Sequence, residues 1–367
     1  MLRKLKKTTK KTVIIVFASV VLCAAFAVGG MMLYSKFQVG KIPALTFREA
    51  LEYTTRNNSD AVITVGIIKD GQMSYTVYGE NGVVLPAELH TYEIGSLTKT
   101  FTAALIYKAV GDGMINVDDT IDEYLTLPAD NDYPTITELL THTSGYRGYY
   151  FESPMIANYL KGRNDYYGIT KEMVLKKAGS LNMNKENYDF SYSNFGYAVL
   201  GFVLEKVYDT DYTTLLNEFV QDELNLRATH ISDYSGDLGN YWEWKSDDAY
   251  ISAGAVTSNI DDMMRYAKMQ LEEDTYFAGC HQSLKTINAS TEDYKMMDIN
   301  LDEIGMAWIT DNENGIVWHS GGTGDYNSYL GFHRQSGVAV VILSNLSPNY
   351  RIPATVLGVK LLLELSG

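Results

Sequence analysis

An extended Tyr92-Glu93-Ile94-Gly95 stretch gives way at Ser96 to a run with Phe101, Ala104, Leu105 and Ala109 at helical spacing, and this junction constrains the fold more than any other segment. Ser96-Leu97-Thr98-Lys99 is predicted to form the first turn of a buried helix, which places Ser96 and Lys99 on one face. Ser96 is the one serine in the sequence followed three residues later by lysine. A hydroxyl is a poor nucleophile at neutral pH, and an amine can take its proton only if it is itself neutral part of the time. The lysine must therefore be depressed from about 10.4 to about 7–8, by desolvation and positive neighbours in a seam between two domains. The same turn offers the Ser96 backbone N–H as half of an oxyanion hole.

Two further motifs occur once each. Tyr192-Ser193-Asn194 precedes a periodic helix marked by Leu200, Val203, Leu204 and Val207. His319-Ser320-Gly321 lies in a run that reads as strand, glycine turn and strand, from Ile316-Val317-Trp318 through Gly321-Gly322-Thr323-Gly324 to residues 326–332. Three unique motifs in this order are far less probable by accident than a lone Ser-x-x-Lys, which chance alone supplies in a chain this long.

Together they resemble the penicillin-recognising serine hydrolases, in the class C β-lactamase, DD-peptidase and esterase branch. Asn116-Val117-Asp118-Asp119-Thr120-Ile121 is similar to the segment after that family's nucleophile helix. Leu139-Leu140-Thr141-His142-Thr143-Ser144-Gly145 is similar to its LLTHTSG stretch, and residues 252–258 resemble its glycine-bearing turn before an Asp-capped helix. The resemblance implies that Ser96 is acylated, that Lys99 shares its proton, and that Tyr192, as phenolate or through a shared proton, is the general base and later protonates the leaving group. It further implies that Asn194 bonds the substrate amide, that His319, Ser320, Gly321 and Gly322 line the substrate, and that the Gly322 N–H is the second oxyanion donor on a strand whose edge can pair with an extended peptide. His142 is implied to be structural. The chain departs from penicillin-binding enzymes at His319, where lysine is usual. A histidine near its ordinary 6.5 would be only partly charged at neutral pH, a weaker anchor for a substrate carboxylate.

The first eleven residues carry six basic side chains and no acidic one, and residues 13–34 then run apolar. Twenty-two residues make about 33 Å of helix against a hydrocarbon core of about 30 Å. Residues 1–11 are expected to be a cytoplasmic tail, 12–34 a membrane anchor, 35–44 a linker, and 45–367 an extracytoplasmic hydrolase domain. Ala25-Phe26-Ala27 leaves a cleavable signal peptide as the alternative. With a formal charge of −15 on the whole chain, everything after the tail carries −21. Such a domain is a poor partner for nucleic acid. Cys23 falls in the apolar run and Cys280 stands alone in the rest, which leaves no disulfide within the expected domain.

The expected architecture is α/β: an antiparallel sheet flanked by helices, plus an all-α subdomain. Residues 61–68 and 73–78, flanking Lys69-Asp70-Gly71, read as a hairpin joined by late strands over 316–343 and backed by helices over 47–56 and 353–365. Tyr146-Arg147-Gly148-Tyr149-Tyr150 is a candidate cleft loop, with Arg147 a candidate carboxylate contact and packing the competing role of the tyrosines. No metal-binding, phosphate-binding or Gly-x-Ser-x-Gly motif occurs, so no metal or cofactor is expected. The expected function is a membrane-anchored serine hydrolase acting through an acyl-enzyme on D-amino-acid-containing peptides such as peptidoglycan stems. An esterase or β-lactamase, or a penicillin-binding or cell-wall-sensing protein with little turnover, are the alternatives.

Overall fold

Asp70 and Gly71 both take positive φ (52° and 73°) between two seven-residue strands, the geometry a two-residue hairpin turn demands. These strands, β1 (Ile63–Lys69) and β2 (Gln72–Tyr78), are where the sequence places them. The computed structural model describes residues 40–184, 187–272, 277 and 279–367. The expected basic tail and membrane anchor lie outside the described residues, as does most of the linker. Among the described residues no helix is long and apolar enough to cross a membrane. The unit Thr46–Gly367 is compact and carries the Ser96-Leu97-Thr98-Lys99, Tyr192-Ser193-Asn194 and His319-Ser320-Gly321 motifs.

Nine further strands are described: β3 (Tyr92–Glu93), β4 (His230–Ile231), β5 (Val256–Ser258), β6 (Lys285–Thr286), β7 (Glu303–Ile304), β8 (Ile309–Asp311), β9 (Ile316–Gly322), β10 (Asn327–His333) and β11 (Val338–Ser344). The main sheet has the order β2-β1-β11-β10-β9-β8-β7-β6, antiparallel throughout, and β3-β5-β4 form a small second sheet. Every residue of β11 is buried, because both faces of the sheet are covered. Gly66, Val341 and Leu330 share one register row and so point to one face, where a Cβ on Gly66 would press on Met264 of the helix Ile260–Leu271. Tyr329, one residue along, points to the other face and meets Gly358 of the C-terminal helix Ala354–Ser366. The N-terminal helix Phe47–Thr55 packs on that last helix and opens with a Thr46/Glu49 capping box.

The sequence between β3 and β5 builds the helical body, whose longest elements are Thr98–Gly111 and Asn194–Tyr208. Both are apolar nearly all round and accordingly buried. The helix after residues 252–258 is capped by the Asn259 side chain rather than by an aspartate; Asp261 and Asp262 instead occupy its first turn, where their charge favours the helix dipole.

Gly358 supplies a packing prediction. Glycine to alanine inside a helix ordinarily stabilises by about 1 kcal/mol, but a methyl here would land on the ring of the fully buried Tyr329. Overpacking of about 1–3 kcal/mol exceeds the propensity gain. Gly358→Ala is expected to lower the thermal midpoint by several degrees, read by circular dichroism.

Candidate active site

Gly95, at φ +51°, allows the chain to turn out of β3, and Gly95–Leu97 form a single 3-10 turn that runs into the helix Thr98–Gly111. Ser96 thus stands just ahead of the α-helix rather than within its first turn. Lys99 is fully buried on the next turn, with Nζ 3.0 Å from Ser96 Oγ and donating to the Ala253 carbonyl at 2.6 Å. That carbonyl belongs to the turn Ile251–Gly254, held by Thr102 donating to Ser252 O at 2.7 Å and by Ser252 donating to Tyr197 O at 2.8 Å. Burial alone pushes Lys99 well below its ordinary value, without the positive neighbours that the sequence analysis invoked. A carbonyl only accepts, so Ala253 takes an N–H of Lys99 and leaves the neutral amine a lone pair for the Ser96 hydroxyl proton.

Tyr192 closes the other side. Tyr192 is 39 % exposed overall, and its hydroxyl is hydrogen-bonded with Ser96. Burial raises this phenol far above its usual range, so the resting form is phenol and not phenolate. The Lys99 Nζ lies 5.0 Å from the Tyr192 ring centroid and 5.6 Å from that of Tyr197. His142 fixes the segment. Its carbonyl accepts from Ser191 N–H at 2.8 Å, its Nδ1 accepts from Ser193 N–H at 3.0 Å, and its ring lies 4.4 Å from that of Tyr192. Burial holds His142 neutral, as accepting at Nδ1 requires. Ser193 caps the following helix through Gly196 N–H, and donates to the Arg147 carbonyl at 2.8 Å.

The third side is β9. Thr323 N–H donates to Tyr326 O at 3.0 Å, so by the alternation of an antiparallel ladder the Gly322 N–H points away from β10. Strand β8 pairs only with residues 316–318, which among the described residues leaves Ser320, Gly321 and Gly322 without a strand on that edge. A Cβ on Gly321 would lie 2.8 Å from Ser96 N and 2.6 Å from Ser328 Oγ, and would collide with the Ile94 carbonyl. Ser328 donates to that same carbonyl at 2.7 Å. The nucleophile turn and β9 are therefore in backbone contact, and Ser96 and Gly322 can offer two N–H groups to one oxyanion. Glu93, which the sequence analysis did not single out, braces this contact from below. Its carboxyl accepts from the Thr323 hydroxyl and from Trp242 N–H, both at 2.5 Å, and burial pushes it up to about 7.

Ser96, Tyr192, His319, Ser320, Gly321 and Gly322 line one cleft of about 430 Å³, with Lys99 beneath it. Two expectations change. His319 is 4 % exposed and pushed down to about 3 by burial and by the nearness of Lys99, so it is neutral, not partly charged, at physiological pH. Asn194 does not line this cleft. Its Nδ2 donates to the Tyr166 hydroxyl at 2.8 Å, while Oδ1 is buried with no hydrogen bond among the described residues. Arg147 is exposed and contributes its carbonyl rather than its guanidinium; Tyr146 and Tyr150 pack edge-on against Phe195. Cys280 is buried, with its thiol pushed up to about 12, and is inert.

Two outcomes are expected. Gly321→Ala should retain the fold by circular dichroism but lose about 10²–10³-fold in kcat on a p-nitrophenyl ester, since the methyl separates Ser96 from β9. The Lys99 prediction concerns pH. Its folded value lies below its unfolded one of about 10.4, so between the two the unfolded chain binds the extra proton and stability rises with pH. Chemical denaturation from pH 7 to pH 10 should show this rise in the native chain and a flatter profile in Lys99→Met.

A family model described as Beta-lactamase matches residues 56–359. Protein flp of Staphylococcus aureus (strain MW2) is 24 % identical over 314 residues, covering 77 % of this chain; the chain spans 59 % of the length of that relative. The D-alanyl-D-alanine-carboxypeptidase/endopeptidase AmpH of Escherichia coli (strain K12) is 25 % identical over 328 residues, 82 % of this chain and 84 % of AmpH. Among solved structures, a beta-lactamase/D-alanine carboxypeptidase from Yersinia pestis superposes with a TM-score of 0.66 at 18 % identity, covering 90 % of this chain and 99 % of that one. With the family model extending over most of the described fold and all three motifs inside it, the chain belongs to the beta-lactamase family.

Proposed function

We propose that this chain is a serine hydrolase that works through an acyl-enzyme at Ser96 and cleaves peptides bearing a D-configured residue. The observation that carries the reading is a serine hydroxyl 3.0 Å from a fully buried lysine amine, beside a strand edge free to pair with an extended chain. Ser96 Oγ attacks the carbonyl carbon as its proton passes to neutral Lys99, and the tetrahedral oxyanion takes the N–H groups of Ser96 and Gly322. Tyr192, resting as phenol, gives its proton to the departing amine and recovers one from Lys99. Water then reverses the sequence to release the acid. His142 is a positioning residue for Tyr192. The name of AmpH, with both carboxypeptidase and endopeptidase in it, supports a D-peptide substrate of the kind found in peptidoglycan stems. The basic tail and the apolar run over residues 13–34 support a membrane-anchored enzyme with its site outside the cytoplasm.

Ester hydrolysis is the second reading, favoured by neutral His319, which places no permanent charge opposite a substrate carboxylate. Intact-mass spectrometry with a penicillin, and separately with a peptide ending in D-Ala-D-Ala, tests both. A lasting penicillin adduct mapping to Ser96, together with released D-alanine, is the expected result. Absence of both would shift the activity to esters. Ser96→Ala is expected to lose labelling by a fluorophosphonate while folding normally, and undiminished labelling would exclude Ser96 as the nucleophile.

A further inference from the structure

The cleft has a half that the acyl-transfer chemistry does not use. His319 and Gly321 share the face of Leu330, toward the nucleophile turn, whereas Trp318, Ser320 and Gly322 point to the opposite face. Around the uncovered edge of β9 the cleft continues onto that second face, walled by Tyr294, Leu301, Ala307, Ile309 and Trp318. Ile309 and Trp318 are register partners, so their side chains stand together on the wall. None of the described residues lining the cleft is Lys or Arg, and the two histidines there, His142 and His319, are both buried, and that burial keeps them neutral.

Ala307 marks a tight turn at the back of this wall. It sits at φ +70° in the turn between β7 and β8, closed by Gly305 N–H donating to Trp308 O at 2.9 Å. Residues with a Cβ rarely occupy that region, and glycine would do so without strain. Alanine stands there instead, fully buried behind the wall.

We infer that this half is a subsite for an uncharged, apolar group attached next to the scissile carbonyl, such as a branched or aromatic side chain or a short aliphatic acyl chain, and that it rejects a free carboxylate. The inference rests on the acyl-enzyme reading above and specifies its substrate. On a D-peptide it favours cleavage where the residue that supplies the scissile carbonyl is apolar. A carboxylate pushed against this wall would lose its water with no cation to replace it.

The test uses the full chain and three p-nitrophenyl esters: acetate, hexanoate, and the adipate monoester, which matches hexanoate in length but ends in a carboxylate. A methylene fully buried is worth about fourfold in kcat/KM. Hexanoate is expected to exceed acetate by at least about tenfold, and the adipate monoester to fall at or below acetate. Leu301→Arg should invert the ratio of hexanoate to adipate monoester, and Tyr294→Arg, on a separate turn of the wall, should move it the same way if the first variant fails to fold. Equal rates for the three esters, or a preference for the adipate monoester, with Ser96 acylated, would overturn the subsite and leave the hydrolase chemistry standing. Failure of every ester and of a fluorophosphonate to acylate Ser96 would overturn the reading beneath it.

Discussion

The arrangement depends on a lysine buried without a counter-charge. Among the described residues no carboxylate forms an ion pair with Lys99; its polar contacts are the Ser96 hydroxyl and the Ala253 carbonyl. An adjacent Asp or Glu would hold it as ammonium and remove its capacity to take a proton. Burial in place of pairing keeps the amine neutral, and the surrounding fold is what burial requires: the all-round apolar helices Thr98–Gly111 and Asn194–Tyr208, and a turn pinned by Thr102 and Ser252. The same desolvation acts in the opposite sense on Tyr192, which it holds protonated. One low-dielectric pocket therefore prepares an acceptor and a donor at once, and this divides the roles that the motifs alone assign jointly.

Strand β9 makes that pocket a site. Its register with β10 turns the Gly322 N–H outward, the short β8 leaves its far half uncovered, and Gly95 and Gly321 let two backbones touch where any side chain would separate them. The strand thus presents an oxyanion donor, a pairing edge and two differently lined faces within four residues. Glu93 ties the loop after β9 to the strand leading into Ser96, so the two N–H groups are held relative to one another by a buried carboxyl.

Much of this was legible. Asp70-Gly71 between alternating strands announces its hairpin, the 3.6-residue periodicity after Ser96 and Asn194 announces helices, and the order of the three motifs announces the family. What stayed hidden has a common cause. The charge of His319 depends on how deeply a strand is covered, and nothing in His-Ser-Gly reports burial. Asn194 turns to Tyr166, 28 positions earlier in sequence, and His142 clamps Tyr192 from 50 positions away; neither spacing follows a local period. The Ala253 carbonyl is a backbone atom with no signature of its own. Only the resemblance of residues 252–258 to a family segment hinted that the region mattered.

By itself the sequence determined the candidate site residues, the elements that bear them and the family, because periodicity, turn chemistry and unique motifs are properties of neighbouring residues. The tertiary structure decided protonation, partnership and the shape of the cleft: neutral Lys99 and His319, Tyr192 as phenol, Asn194 on Tyr166, and an apolar wall carrying Ala307 at positive φ. Each of these is set by desolvation or by contact between segments far apart in the chain. Such energies exist only once the helical body has closed over the sheet.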